Sequence, residues 1–295
     1  MAGIADRPDE ALAVGCKANG VKEQQRFTGM RLEGKTVIVI GAGQSPGEGM
    51  GNGRATVLRF AQEGAKIMAV DRDLRSAEET ASMVKQGGGE CIAFEADVTK
   101  EATLAAAVTA AEKRWGRIDI LHYNVGVSIA GGDAPLLDFT EEAFDRISAI
   151  NLRGAIMACK HVIPIMRRQR AGVITMISSL AALENYPFVA YKATKAAMIA
   201  FTKQVAIQNA EFGIRANVIL PGLIDTPMAV DTRARVSGKS RAQVAAERDA
   251  RVPLRRKMGT AWDVANAALF LASDEANFIT GVELLVDGGG ALNVG

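Results

Sequence analysis

The stretch from Thr36 to Asp71, TVIVIGAGQSPGEGMGNGRATVLRFAQEGAKIMAVD, decides the fold. Its first five residues, Thr36 to Ile40, are a short β-branched run of the kind that forms a strand buried on both faces. The glycine-rich segment Gly41 to Gly53 can be neither strand nor stable helix. Ala55, Leu58, Ala61 and Gly64 then mark a helix and its stop. Lys66 to Asp71 reads as a second strand, ending in a carboxylate. Strand, glycine loop, helix, strand and acid in this order make a βαβ nucleotide-binding unit. The glycines let the backbone approach a pyrophosphate, and the helix start offers it free N–H groups. The offset from Gly53 to Asp71 suits a carboxylate that reaches an adenosine ribose.

The alternation continues along the chain. Residues 74–86 read as helix, 91–98 as strand with Asp97 near its end, and 101–115 as an alanine-rich helix. Residues 118–126 read as a strand running into a turn. Residues 141–170 read as one long or kinked helix that holds Asn151 and is interrupted by Pro164. Strand 172–179, helix 188–212 and strand 214–222 follow. A polar, helical-looking insertion at 228–257, a helix at 260–272 and a last strand at 282–286 complete the pattern. Repeated β-α-β-α implies an α/β Rossmann fold, with about seven parallel strands and helices on both faces. Residues 1–31 are polar and lack periodicity, so they read as an N-terminal arm or disordered extension. Residues 32–295 contain no linker or repeat and read as one domain.

Composition narrows the function. Hydrophobic residues at 48% and charged residues at 23% fit a globular protein. A net charge of +2 gives no case for nucleic-acid or membrane partners. No apolar run is long enough for a transmembrane helix, and the N-terminus lacks a signal-peptide pattern. Cys16, Cys91 and Cys159 are odd in number and far apart, which fits reduced thiols in a cytoplasmic protein. His122 and His161 are isolated from other ligand types, so no metal site is expected.

The chemistry points to ITMISSLAALENYPFVAYKATKAAMIAF, Ile174 to Phe201. Tyr191 and Lys195 stand four apart where alanines favour helix, so both project from one face. A free phenol has a pKa near 10. An ammonium beside it favours the phenolate, and a tyrosine tuned in this way can exchange a proton with an alcohol or carbonyl. Tyr-x-x-x-Lys alone carries little weight, because it recurs by chance on helix surfaces.

Several signals in a fixed order carry more, and together they resemble the short-chain dehydrogenase/reductase family from about Leu32 to Gly290. They are the glycine loop with Asp71, Asp97-Val98, Tyr123-Asn124-Val125-Gly126, Asn151-Leu152-Arg153-Gly154, Ser179 with Tyr191 and Lys195, Pro221-Gly222-Leu223-Ile224-Asp225-Thr226, Ile279-Thr280-Gly281 and Val286-Asp287-Gly288-Gly289. The resemblance implies a catalytic set of Asn151, Ser179, Tyr191 and Lys195. It implies cofactor contacts from Gly41, Gly51, Asn52, Asp71, Asp97, Val98, Asn124, Tyr191, Lys195, Ile224 and Thr226. Three departures stand out. Ile40 replaces the usual threonine and offers no hydroxyl to the Asn124 turn. Residues 44–50 lengthen the glycine loop and must bulge. Tyr123 replaces an asparagine. Ser179 also lies one residue closer to Tyr191 than the family's spacing, which leaves Ser178 as the alternative.

The implied activity is hydride transfer between NAD(H) and a secondary alcohol or its ketone. Tyr191 would be the general acid/base, Ser179 would hold the substrate oxygen, Lys195 would lower the Tyr191 pKa and bind ribose, and Asn151 would hold a relay water. Asp71 favours NAD over NADP, whose 2′-phosphate it would repel; Arg72 is the counter-argument. The alternative is a non-catalytic nucleotide-binding sensor or structural subunit of the same fold. A second rival, cofactor-assisted epimerisation or dehydration, lacks the large C-terminal domain it would need. A homotetramer or homodimer is expected. Residues 226–258 are expected to form a mobile substrate lid, whose excess of arginine and lysine suggests an anionic substrate.

Overall fold

The computed structural model describes residues 29–292. Most of the expected N-terminal arm therefore lies outside the described residues, and so does Cys16. The arm's last residue does not hang free. Arg31 donates from its backbone to Glu63 Oε2 at 3.0 Å and from Nη2 to Glu63 Oε1 at 2.7 Å.

A seven-stranded sheet runs through these residues in the order β3-β2-β1-β4-β5-β6-β9, with every pairing parallel. Its strands are β1 (Thr36–Ile40), β2 (Lys66–Asp71), β3 (Glu90–Glu95), β4 (Ile120–Tyr123), β5 (Gly172–Ile177), β6 (Ile214–Pro221) and β9 (Glu283–Val286). All residues of β1, β4 and β6 are buried, as expected of strands covered on both faces. Helices α1 (Asn52–Gln62) and α9 (Ala261–Ala272) lie on one side. Val57, Phe60, Val264 and Leu269 pack there with Val37, Val39 and Ile67. Helices α3 (Glu101–Trp115), α5 (Gly154–Gln169) and α6 (Val189–Asn209) lie on the other. Leu104, Val162 and Met198 pack there with Ile38, Leu121 and Ile174. Strand order reverses between β1 and β4, and the crevice beyond the carboxyl ends at such a switch point is where ligands bind in open α/β sheets.

Three local differences from the sequence reading have physical causes. The long helix does not break at Pro164, which is exposed and inside α5. It widens instead into a π-helical turn, Ala149–Arg153, between α4 (Glu141–Ser148) and α5. That turn contains Asn151. The insertion is less helical than expected: a π-helical turn Pro227–Asp231, then α7 (Thr232–Ser237) and α8 (Arg241–Asp249), then irregular chain to Met258. A two-stranded ribbon, β7 (Ile224–Asp225) with β8 (Gly259–Thr260), clasps the base of this segment.

Candidate active site

Ser179, Tyr191 and Lys195 meet where β5 ends and α6 begins. Lys195 is 1% exposed, and its Nζ donates to the Ile177 carbonyl at 2.7 Å and the Val125 carbonyl at 3.3 Å. It lies 5.8 Å from the Tyr191 ring centroid. Gly126 makes room for it: a Cβ there would come within 3.0 Å of Nζ. The two serines divide cleanly. Ser178 is buried and donates to the Lys195 carbonyl at 2.7 Å, a structural bond. Ser179 is partly exposed, accepts from Ala181 N–H at 3.2 Å and sits against the Tyr191 hydroxyl.

With protein groups alone, the pair is not tuned as its spacing suggests. Burial pushes the Tyr191 phenol up to about 12; the Ser179 hydroxyl pulls it down, Tyr186 pushes it up, Arg233 pulls it down and Asp133 pushes it up. Burial also pushes the Lys195 ammonium down to about 7. Burial is the largest cause for both groups, and Lys195 directs donors to two backbone carbonyls.

Asn151 is fully buried. Its Oδ1 accepts from Val127 N–H at 2.8 Å, and its Nδ2 donates to the Val127 carbonyl at 3.0 Å and to Thr194 Oγ1 at 3.1 Å. Its amide therefore staples the turn after β4 to α6, rather than reaching Lys195 directly. Asp133, which sequence reasoning missed, holds Tyr191 from outside the motif. Its buried carboxylate accepts from Ala190 N–H and Tyr191 N–H, both at 3.0 Å, and so caps α6. A carboxylate there satisfies orphan donors and complements the helix dipole. No local pattern announces it, since the bonds span 57 and 58 residues. Tyr186 was also missed; its ring lies 5.6 Å from that of Tyr191.

The glycine loop fits a dinucleotide. Helix α1 begins with Gly51 as its cap, no side-chain cap bond and no acid in its first turn, so its N–H groups remain free for an anion. Asn52 Oδ1 is buried without a partner. Gly41 adopts φ +84°, and Gly53 packs so closely on it that a Cβ would overlap the Gly41 carbonyl oxygen. Asp71 accepts from Gly43 N–H at 2.9 Å and Asp73 N–H at 3.1 Å, which fixes its carboxylate at the strand end. Asp97 is held by the Thr99 N–H at 3.0 Å and the Thr99 hydroxyl at 2.7 Å. Burial alone would raise its carboxyl, but those bonds, with Lys100 and Arg72, keep it below the usual range. Val98 is buried against Gly154. Ile224 is buried beside Gly259, and the Thr226 hydroxyl caps the Pro227–Asp231 turn.

The departures find replacements. Without a threonine at position 40, the Asn124 turn is held by Asn124 N–H to the Ile40 carbonyl at 2.9 Å and Asn124 Nδ2 to the Gly41 carbonyl at 3.1 Å. The buried Tyr123 hydroxyl donates to the Ile150 carbonyl at 2.7 Å, inside the π-helical turn, where the widened ladder leaves carbonyls without their helical partners. A Cβ on Gly154 would stand 2.5 Å from that hydroxyl. The lengthened loop docks on the insertion: Glu48 N–H donates to Asp231 Oδ1 at 3.0 Å. Arg241 reaches Asp225 at 2.6 Å, Asp231 at 3.4 Å and Glu48 at 3.8 Å.

Residues 47–291 match the family model described as "Enoyl-(Acyl carrier protein) reductase". The chain is 37% identical to 2-(R)-hydroxypropyl-CoM dehydrogenase of Xanthobacter autotrophicus, over 86% of this chain and 97% of that one. The chain belongs to the short-chain dehydrogenase/reductase family. Solved members of the family superpose closely. One from Burkholderia xenovorans has a TM-score of 0.81 at 41% identity, covering 89% of this chain and 98% of its own. Levodione reductase has a TM-score of 0.83 at 32% identity, covering 89% and 100%. Its relatives make this protein an oxidoreductase, and the family's members use NAD(P).

The other titratable candidates belong to the core. Cys91 and Cys159 are buried, and burial pushes both thiols up to about 12, away from reactivity. His122 bonds Thr175 Oγ1 through Nδ1 at 2.7 Å, and burial pushes it down to about 3. No helix among the described residues is long and apolar enough to cross a membrane.

Proposed function

We propose that the protein oxidises a secondary alcohol, or reduces the matching ketone, with NAD(H). Nicotinamide supplies the hydride acceptor or donor. Tyr191 exchanges the proton with the substrate oxygen, and Ser179 hydrogen-bonds that oxygen and fixes its place. Lys195, anchored on the Ile177 and Val125 carbonyls beside the phenol, would bind the nicotinamide ribose and as an ammonium favour the Tyr191 phenolate. Asn151 keeps the turn after β4 in register with α6, and a relay water beside Lys195 would complete the path to solvent. The observation that carries this reading is the meeting of Ser179, Tyr191 and Lys195 where β5 ends and α6 begins, one strand from the sheet's switch point. Intact proton-transfer chemistry there favours an enzyme over a nucleotide sensor.

Asp71 supports NAD over NADP. Its carboxylate stands at the end of β2, and a 2′-phosphate would place about two negative charges beside it. Residues 32–295 work as one domain, in which residues 226–258 close over the substrate. The outward face of α6 supports self-association: Ala193, Ala196 and Ala200 are exposed and small, and Ile207 is 72% exposed. Such a face suits close packing against a second copy in a homodimer or homotetramer. A cytoplasmic setting goes with the reduced thiols.

The test is kcat/KM for NAD and NADP with a panel of secondary alcohols. NAD is expected to win by at least about tenfold, and Asp71→Ala to narrow that margin. Equal or better use of NADP overturns the cofactor assignment.

A further inference from the structure

The insertion carries many cations, and the fold sorts them. Lys239 pairs with Glu247 at 2.6 Å, Lys257 with Asp249 at 2.8 Å, and Arg241 with Asp225 at 2.6 Å. Arg256 donates to the Ala250 carbonyl at 2.7 Å. Arg248 is different. It is 8% exposed, yet among the described residues its guanidinium has no salt bridge, and its one hydrogen bond runs from Nε to Met258 Sδ at 3.4 Å. A thioether is a weak acceptor, and a buried cation without an anion is costly.

Its surroundings make the cost greater. Burial pushes Arg248 down to about 10, the charges of Arg233 and Arg251 push it further down, and Tyr186 and Asp225 push it up. Asp225 is already bound to Arg241. Arg233 is partly exposed and holds only the Ala229 carbonyl, at 2.9 Å through Nη1. Arg233 also acts on Tyr191, whose ring stands 5.6 Å from Tyr186. Among the described residues, then, the buried Arg248 has no carboxylate in salt-bridge reach, and the charge of Arg233 acts on both Arg248 and Tyr191.

We propose that Arg248 and Arg233 form an anion clamp within the insertion, and that the substrate is a secondary alcohol or ketone carrying a carboxylate a few bonds from the reacting carbon. This rests on the dehydrogenase reading of Tyr191 and names the substrate class for that site. The planar guanidinium holds a carboxylate through two parallel N–H···O bonds. Binding the anion would neutralise the cluster and pin the insertion over the reacting carbon, and a neutral analogue could do neither.

The experiment compares 3-hydroxybutyrate and its five- to eight-carbon 3-hydroxy homologues with their methyl esters, with NAD, at low and high salt. The intact protein is expected to favour the best acid over its ester by about 100-fold in kcat/KM, a margin that shrinks with salt. Arg248→Met and, separately, Arg233→Met should each cut that margin by about tenfold or more. Arg248→Lys should restore part of it. A merely structural arginine would lower thermal stability and leave the acid-to-ester ratio unchanged, which overturns the proposal. Esters oxidised as well as acids by the intact protein overturn it too, while leaving the dehydrogenase reading in place. Turnover of neither acid nor ester, with carboxylate binding lost in Arg248→Met by calorimetry, supports the clamp and counts against the dehydrogenase reading. Turnover of neither, without carboxylate binding, overturns the clamp.

Discussion

Two regions meet over the crevice, and they are built by opposite means. The row of Ser179, Tyr191 and Lys195 stands on β5 and α6, elements locked into the core and tied down by buried bonds from Asp133, Asn151 and two backbone carbonyls. The proposed cover is made of short helices, irregular chain and the lengthened glycine loop. It is joined by a partly exposed cluster in which Arg241 bridges Asp225, Asp231 and Glu48. Part of that cluster is imperfect: Asp231 Oδ2 and Arg241 Nε are buried without a good hydrogen bond. The contrast teaches where rigidity is needed. Proton transfer demands fixed atoms, whereas substrate entry demands a cover that can open, and a strained ion cluster can release where a packed helix cannot.

The largest effect should come from the rigid side. Gly53→Ala would drive a methyl into the Gly41 carbonyl, a backbone atom that no rotamer change can move. It should cost at least about 3 kcal/mol in thermal unfolding and abolish measurable NADH binding by fluorescence titration. Wild-type binding in that variant would mean that the glycine turn is softer than its packing implies. A smaller effect is expected from the cover. Arg241→Met leaves three carboxylates without their shared cation, but in a partly hydrated place. It should cost about 1 kcal/mol of stability and mainly raise the dissociation rates of cofactor and substrate, with less difference from wild type at high salt. An equal loss in the chemical step, seen by single-turnover kinetics, would erase the distinction between the regions.

The same contrast explains what was legible in the sequence. The strand–loop–helix order from Thr36 to Asp71 and the sheet follow from local periodicity and short spacings, whereas the grouping of Ser179 with Tyr191 and Lys195 was legible through the family resemblance. The difference between Ser178, bound to the Lys195 carbonyl, and the partly exposed Ser179 shows only in the fold. The roles of Asp133 and Tyr186 were not legible, because they depend on contacts that no periodicity records. Tyr123 was noticed as an oddity, but its use was hidden. Only the fold brings its hydroxyl to the π-helical turn and shows that Gly154 must be small. Charge counting over residues 226–258 was uninformative until the ion pairs of Lys239, Arg241 and Lys257 were set aside and burial without an anion singled out Arg248. Spacing reports that Tyr191 and Lys195 share a helix face, not where the lysine sends its hydrogen bonds, which go to the Ile177 and Val125 carbonyls.

The account turns on proton transfer by Tyr191, and one measurement addresses it directly: nicotinamide reduction with a secondary alcohol, followed across pH in the intact protein and in Tyr191→Phe, beside NADH affinity in both. The phenol is pushed up to about 12 by burial, so the base form needed for alcohol oxidation grows as pH rises. The intact protein should therefore speed up with pH above neutrality. Tyr191→Phe should keep its NADH affinity and lose turnover by about a thousandfold or more. Turnover in Tyr191→Phe within a few-fold of wild type, with the same pH profile, would contradict the account.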